Sequence, residues 1–159
     1  MKKTLIIAEV GVNHNGDINT AKKLIIEASK CGADIVKFQS FQTDKLVTSF
    51  AKKTKYQIQN TNQDSTIQKD MLNGLELSKK DHLSLIDCCK KNNIEFLSTA
   101  FDIESLQMLL DIGINRIKIP SGEITNLPYL REIGLTSLPI ILSTGMANLE
   151  EINNALNIL

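Results

Sequence analysis

The chain lacks an excess of either charge: eighteen Lys and Arg stand against eighteen Asp and Glu in 159 residues, a formal net charge of zero. No general attraction to nucleic acid or to an anionic membrane follows, so any bound anion must be held locally. Tryptophan is absent and aromatics make up 4%, which argues against stacking platforms for single-stranded nucleic acid. Cysteines are few and odd in number, Cys31, Cys88 and Cys89, two of them adjacent in a helical pattern. No disulfide framework is expected, and a reducing, cytoplasmic setting is the simplest. No apolar run approaches the roughly 18 residues of a membrane span. The first residues imitate a signal peptide, but Glu9 ends the apolar run well short of an h-region. Small molecules are therefore the expected partners, with no nucleic acid and no membrane.

What is present is an ordinary globular composition, 42% hydrophobic and 23% charged. Short β-rich runs recur at Thr4–Val10, Ile35–Phe38, Glu95–Ser98, Arg116–Ile119 and Pro139–Ser143, most followed by a helical pattern. The first helix starts near Asp17 or Asn19, aligns Ala21, Leu24, Ile25 and Ala28 on one face, and stops at Gly32. The second is capped by Ser78 with Asp81 three residues on, and directs Leu83, Ile86 and Cys89 inward. Asp102 caps a third that buries Leu106, Leu109 and Leu110 and ends at Gly113. The last begins near Asn148 and buries Ile152, Ala155, Leu156 and Leu159.

Five βα units of about 32 residues fall three short of the eight, roughly 250 residues in all, that close a TIM barrel. The expected architecture is α/β: a TIM barrel of which residues 1–159 supply the first five units, with the later strands absent. A complete five-stranded doubly wound domain is the alternative. Between Ser40 and Leu77 the periodicity fails and the composition turns to Lys, Gln, Asn and Thr. A loop that long is usually functional or disordered; within it, Tyr56–Gln59 reads as a local strand.

Parallel strands covered on both faces are normally continuous in Val, Ile and Leu. Here several carry polar residues at their carboxyl ends. Alternation places Glu9 on the face of Leu5 and Ile7, Lys37 and Gln39 on the face of Ile35, and Lys118 opposite Ile117 and Ile119. The inward apolar set includes Leu5, Ile7, Leu97 and Ile141. Two inward lysines require anions to offset them. One solution is internal, with Glu9 and Glu123 as partners. The other is a ligand, caged by two ammonium groups and the hydroxyls of Thr99, Ser121 and Ser143. Active sites of βα barrels occupy this end. His14, in the turn Asn13–Gly16, has no second histidine at metal-ligand spacing, since His82 falls on a helix. These residues alone therefore make no metal site.

The strand-end series Ala8-Glu9-Val10-Gly11-Val12-Asn13-His14-Asn15-Gly16, Val36-Lys37-Phe38-Gln39-Ser40-Phe41, Leu97-Ser98-Thr99-Ala100-Phe101-Asp102, Lys118-Ile119-Pro120-Ser121-Gly122-Glu123 and Leu142-Ser143-Thr144-Gly145-Met146 resembles the sialic acid, or nonulosonate, synthases in register and in order. The resemblance covers the whole chain. It implies a TIM barrel followed by an antifreeze-like domain, of which this chain is the N-terminal part. It also implies condensation of phosphoenolpyruvate with an N-acylated hexosamine, N-acetylmannosamine or a 2,4-diacetamido relative, to give a nine-carbon sugar acid and phosphate. By the same resemblance Lys37, Thr99, Lys118, Ser121 and Ser143 hold phosphoenolpyruvate, while Glu9 and Glu123 are catalytic carboxylates near the reacting carbons. A divalent metal, Mn2+ or Mg2+, is implied with ligands outside this chain, as is a homodimer for the full-length protein.

Three departures bear on the expectation. Ala100 stands where the family usually has Pro, which would loosen the loop after the third strand. A substrate-contacting Asn from the long loop falls on Asn60 or Asn62, with Gln39 as a further candidate for the substrate loop. The antifreeze-like domain and both metal-binding histidines have no counterpart here. The competing readings are another phosphoenolpyruvate-dependent sugar-acid synthase, whose phosphorylated acceptor needs a basic cluster such as Lys52, Lys53 and Lys55, and a non-catalytic truncated barrel with residual phosphate binding.

Overall fold

The structure, a computed structural model, describes residues 4–60 and 67–159. Five parallel strands, β1 (Ile7–Gly11), β2 (Ile35–Ser40), β3 (Glu95–Ala100), β4 (Ile117–Ile119) and β5 (Ile140–Leu142), lie side by side in sequence order. A doubly wound sheet reverses its order at a switch point. No such reversal occurs here, so that alternative is set aside. Sequential right-handed crossovers place the helices on one side of the sheet, as in a barrel wall.

Burial follows this arrangement. Val36, Phe38, Ile117 and Ile119 face the helices and are sealed, while Lys37, Gln39 and Lys118 between them are half-buried on the other face. Of the apolar residues expected on that inner face, Leu97 is buried and Ile7 and Ile141 are half-buried. Leu5 is exposed, because β1 starts at Ile7 and leaves it outside the sheet.

The helices are α1 (Ile18–Lys30), α2 (Thr43–Leu46), α3 (Lys55–Asn60), α4 (Gln68–Asn73), α5 (Lys79–Lys91), α6 (Ile103–Asp111), α7 (Leu127–Gly134) and α8 (Leu149–Ile158). Their starts obey the capping signals: Asp17 accepts from the N–H groups of Asn19 and Thr20, Asp102 from that of Ser105, and Ser78/Asp81 and Asn148/Glu151 form capping boxes. Two helical faces differ from expectation. In α5 the sealed stripe is His82, Leu85 and Cys89, with Leu83 50% exposed. Cys89 is common to the expected and the observed stripe, whereas His82 and Leu85 are sealed in place of Leu83 and Ile86, each one residue, or 100°, back round the helix. In α8, Ala155 is fully buried and Leu156, one residue round from it, is 60% exposed.

Tyr56–Gln59 is helical, part of α3, not a strand. Among its described residues the Ser40–Leu77 excursion holds three short helices and an isolated antiparallel bridge between Lys52 and Ile67. Helix α7 carries its own start signal, Asn126 as cap with Pro128 in the first turn. The loop before α1 packs against the end of the excursion so closely that a Cβ on Gly16 (φ +77°) would lie 2.0 Å from the Gly74 carbonyl oxygen. Among the described residues no helix is long and apolar enough to cross a membrane.

Candidate active site at the carboxyl ends of the strands

Strand register brings the inner-face polar residues together. Glu9 pairs across to Lys37, Gln39 to Thr99, and Thr99 to Lys118. Side chains of directly opposed parallel residues share a face, so one polar stripe crosses four strands. Lys37 Nζ lies 2.5 Å from Glu9 Oε2 and donates to Thr99 Oγ1 at 3.2 Å. Lys118 Nζ donates to Ser143 Oγ and to the Ile119 carbonyl, both at 2.6 Å.

The two halves of this stripe are electrostatically joined. Burial holds the Lys118 ammonium below the usual lysine range, and the Lys37 charge adds to that depression while Glu9 opposes it. Positive charge therefore exceeds negative around Lys118, a setting that favours an anion.

Glu123 does not serve as an internal partner of either lysine. It sits in a single 3-10 turn, Ser121–Glu123, and accepts from Asn126 Nδ2 at 2.7 Å. Pro120 and the β4 end fix that turn beside the stripe, leaving Glu123 and Ser121 half-buried without a lysine contact among the described residues. The lysines and hydroxyls meet in two pairs, Lys37 with Thr99 and Lys118 with Ser143, and Ser121 enters neither pair.

Gly11 is a feature that strand periodicity did not signal, although a glycine inside a strand pattern is a bulge signal. Between Glu9 and Gly11 the register with β2 slips by one residue. At φ +54° a Cβ on Gly11 would sit 3.2 Å from Glu9 Oε1 and 3.6 Å from Gln39 Nε2. The missing side chain leaves a space that a carboxylate oxygen and an amide nitrogen both border.

The loop after β3 is pinned despite Ala100. Its carbonyl accepts from the buried Tyr129 hydroxyl at 2.7 Å, Phe101 N–H donates to the Ser40 carbonyl, and Asp102 caps α6. Of the long-loop candidates, Asn60 is the last residue of α3 and Asn62 lies outside the described residues. Lys53 is buried rather than displayed in a basic cluster.

Neither histidine faces the stripe. His14 is sealed in the β1–α1 loop, accepting the Gly16 N–H at Nδ1 with Nε2 unpartnered among the described residues. His82 is sealed behind β2 and β3. Burial holds both imidazoles below their usual range, and in His14 the neighbouring His82 adds to the effect. Glu9 is engaged by Lys37, and among the described residues no group of three His, Cys, Asp or Glu is placed to hold a metal ion. The residues present do not fit a divalent metal site.

The chain is similar to named synthases along its whole length. It is 58% identical over 159 residues to N,N'-diacetyllegionaminic acid synthase of Campylobacter jejuni, covering 100% of this chain and 47% of that protein. It is 49% identical over 152 residues to the protein of the same name in Legionella pneumophila, covering 96% and 42%. Among solved structures, N-acetylneuraminic acid synthetase of Leptospira borgpetersenii in complex with citrate superposes with a TM-score of 0.81 at 33% identity, covering 99% of this chain and 50% of that one. The chain thus spans about half the length of these relatives and corresponds to the N-terminal part of a TIM barrel. Residues 24–159 match the NeuB family, and the chain belongs to that family.

Proposed function

We propose that the full-length protein condenses phosphoenolpyruvate with an N-acylated hexosamine to give a nine-carbon sugar acid and phosphate. The observation that carries this reading is the pairing of two inward lysines with hydroxyls on separate strands, Lys37 with Thr99 and Lys118 with Ser143. Two ammonium groups and two hydroxyls on one face at one end of the sheet suit the phosphate and carboxylate oxygens of an enol phosphate. Ser121 joins them once a ligand bridges the gap.

Forming the carbon–carbon bond requires the enol carbon to be fixed against the aldehyde of the open-chain sugar, after which water adds at the adjacent carbon and phosphate leaves. The ammonium groups of Lys37 and Lys118 stabilise the departing phosphate charge. Glu9 and the amide of Gln39, which both border the space at Gly11, are placed to orient sugar hydroxyls. Glu123, which pairs with neither Lys37 nor Lys118, handles a proton or positions the water. The two relatives named N,N'-diacetyllegionaminic acid synthase favour a 2,4-diacetamido sugar over N-acetylmannosamine as acceptor. A divalent metal belongs to this proposal only through residues beyond 1–159, and no step above passes through it. The reading also includes a homodimer and a cytoplasmic location.

The test is titration calorimetry of phosphoenolpyruvate on the full-length protein and on Lys37→Ala and Lys118→Ala. Each substitution should cost about 2 to 5 kcal/mol of binding, the range for truncating one partner of a desolvated charge pair. Unchanged affinity in both variants would overturn the assignment.

A further inference from the structure

On the helix side of the sheet, directly behind the site, three sealed polar side chains form one chain. Ser98 Oγ lies 2.7 Å from Ser40 Oγ, which lies 2.6 Å from His82 Nε2. His82 Nδ1 lies 2.9 Å from the Ser78 carbonyl, one turn earlier in α5. None of the three side chains is more than 2% exposed. A carbonyl only accepts, so Nδ1 carries the hydrogen and donates to Ser78. In the neutral ring Nε2 is then an acceptor, the Ser40 hydroxyl donates to it, and the Ser98 hydroxyl donates to Ser40. A single tautomer sets the direction of every bond, and nothing in the proposed chemistry uses the imidazole.

Its location gives it a use. In the β2–β3 ladder Phe38 pairs with Ser98, Gln39 with Thr99 and Ser40 with Ala100. Because strand side chains alternate between faces, the serines fasten the two strands on one face at the level where Lys37 meets Thr99 on the other. Phe96 meets the imidazole edge-on at 6.1 Å between ring centres and stacks on Phe38 at 5.6 Å. The ring is therefore held by packing as well as by its two hydrogen bonds.

We propose that His82 is a positioning residue for the anion site: acting through Ser40 and Ser98, it holds β2 against β3 so that Lys37 and Thr99 converge on the same oxygen. The inference rests on reading that site as the phosphoenolpyruvate site. A shift of a fraction of an ångström between the strands separates the ammonium from the hydroxyl, and such misplacement is felt in binding before it is felt in folding.

The test uses the full-length protein, with calorimetric titration of phosphoenolpyruvate, steady-state kinetics and thermal melting on His82→Leu, His82→Gln and Ser98→Ala. His82→Leu keeps the bulk and removes the acceptor, so phosphoenolpyruvate affinity should fall about tenfold, with KM for that substrate rising more than kcat falls. His82→Gln restores an acceptor for the Ser40 hydroxyl and should bring affinity back to within about threefold of the parent, even where it melts lower. Ser98→Ala, which opens little space, should weaken binding in the same sense and answers for His82→Leu should that variant not fold. Nitrogen-15 spectra of the parent should show the Nδ1–H tautomer. Variants that melt lower yet bind phosphoenolpyruvate like the parent would make His82 a core residue only and overturn the proposal, as would an Nε2–H tautomer. A parent that fails to bind phosphoenolpyruvate at all, or a Lys37→Ala variant that binds it undiminished, would instead remove the reading of the site.

Discussion

The inner face of the sheet carries charge at both ends, and the two ends treat it differently. At the amino end Arg116 meets Glu95 in a fork, Nε to Oε1 at 2.6 Å and Nη2 to Oε2 at 2.9 Å. One cation faces one anion, both carboxylate oxygens are used, and the pair raises the guanidinium pKa further above its usual value. At the carboxyl end one ammonium group, that of Lys37, meets a carboxylate, that of Glu9, and the second lysine makes do with a hydroxyl and a backbone carbonyl. The first arrangement is closed and suits a structural role. The second leaves Lys118 without a carboxylate in contact among the described residues, and a fold does not keep an unpaired ammonium half-buried for stability, because desolvating it is costly.

The sharpest way to test this contrast is through the carboxylate at the carboxyl end that pairs with neither Lys37 nor Lys118. Glu123→Gln keeps the shape and much of the hydrogen bonding with Asn126, so both substrates should still saturate. Turnover should fall by a factor of about 10² to 10⁴, the usual worth of general acid–base assistance. A loss under about tenfold would assign Glu123 to positioning.

The opposite end supplies the control. Arg116→Met removes a charge-assisted fork and leaves Glu95 half-buried without its partner. Stability should drop by about 1 to 3 kcal/mol, read as a denaturation midpoint at constant m. Phosphoenolpyruvate affinity should stay within about twofold, since mutations at separate sites act independently. An affinity loss as large as that of Lys37→Ala would mean that the ends are not separable.

Much of this contrast was legible in the sequence. Alternation alone put Glu9, Lys37 and Lys118 on one face, because strand period is fixed by backbone geometry. Caps at Ser78, Asp102 and Asn148 were equally plain, since a short polar side chain before an apolar period has few other uses, whereas the first helix was left to start at Asp17 or Asn19. The failures have more than one cause. Whether Glu123 meets a lysine depends on a 3-10 turn and on Asn126, and local pattern carries no trace of that. The sequence put His82 on a helix but not in its buried stripe, because its acceptor role is set by Ser40, 42 residues away. Residues Tyr56–Gln59 alternate in polarity like a strand, yet six residues of α3 form instead, a case where short periodicity cannot arbitrate.

A smaller effect sharpens the comparison without any substitution. Lys118 is held below the usual lysine range by burial and by Lys37, whereas Arg116 stays charged throughout. Anion binding needs Lys118 protonated, and a bound anion raises its pKa. Affinity is therefore complete below the pKa of the free site and falls as pH rises from there toward the higher pKa of the complex, by at most about tenfold per pH unit. The folded state has the opposite linkage: between the lowered pKa and the ordinary value of 10.5 the unfolded chain binds more protons, so stability gains with pH over that window. Calorimetric titrations at a series of alkaline pH values should show phosphoenolpyruvate binding weaken before the ordinary lysine range is reached, in the parent and in Arg116→Met alike. A profile flat up to pH 10 would mean that Lys118 keeps an ordinary ammonium, and that Glu9 balances both lysines after all.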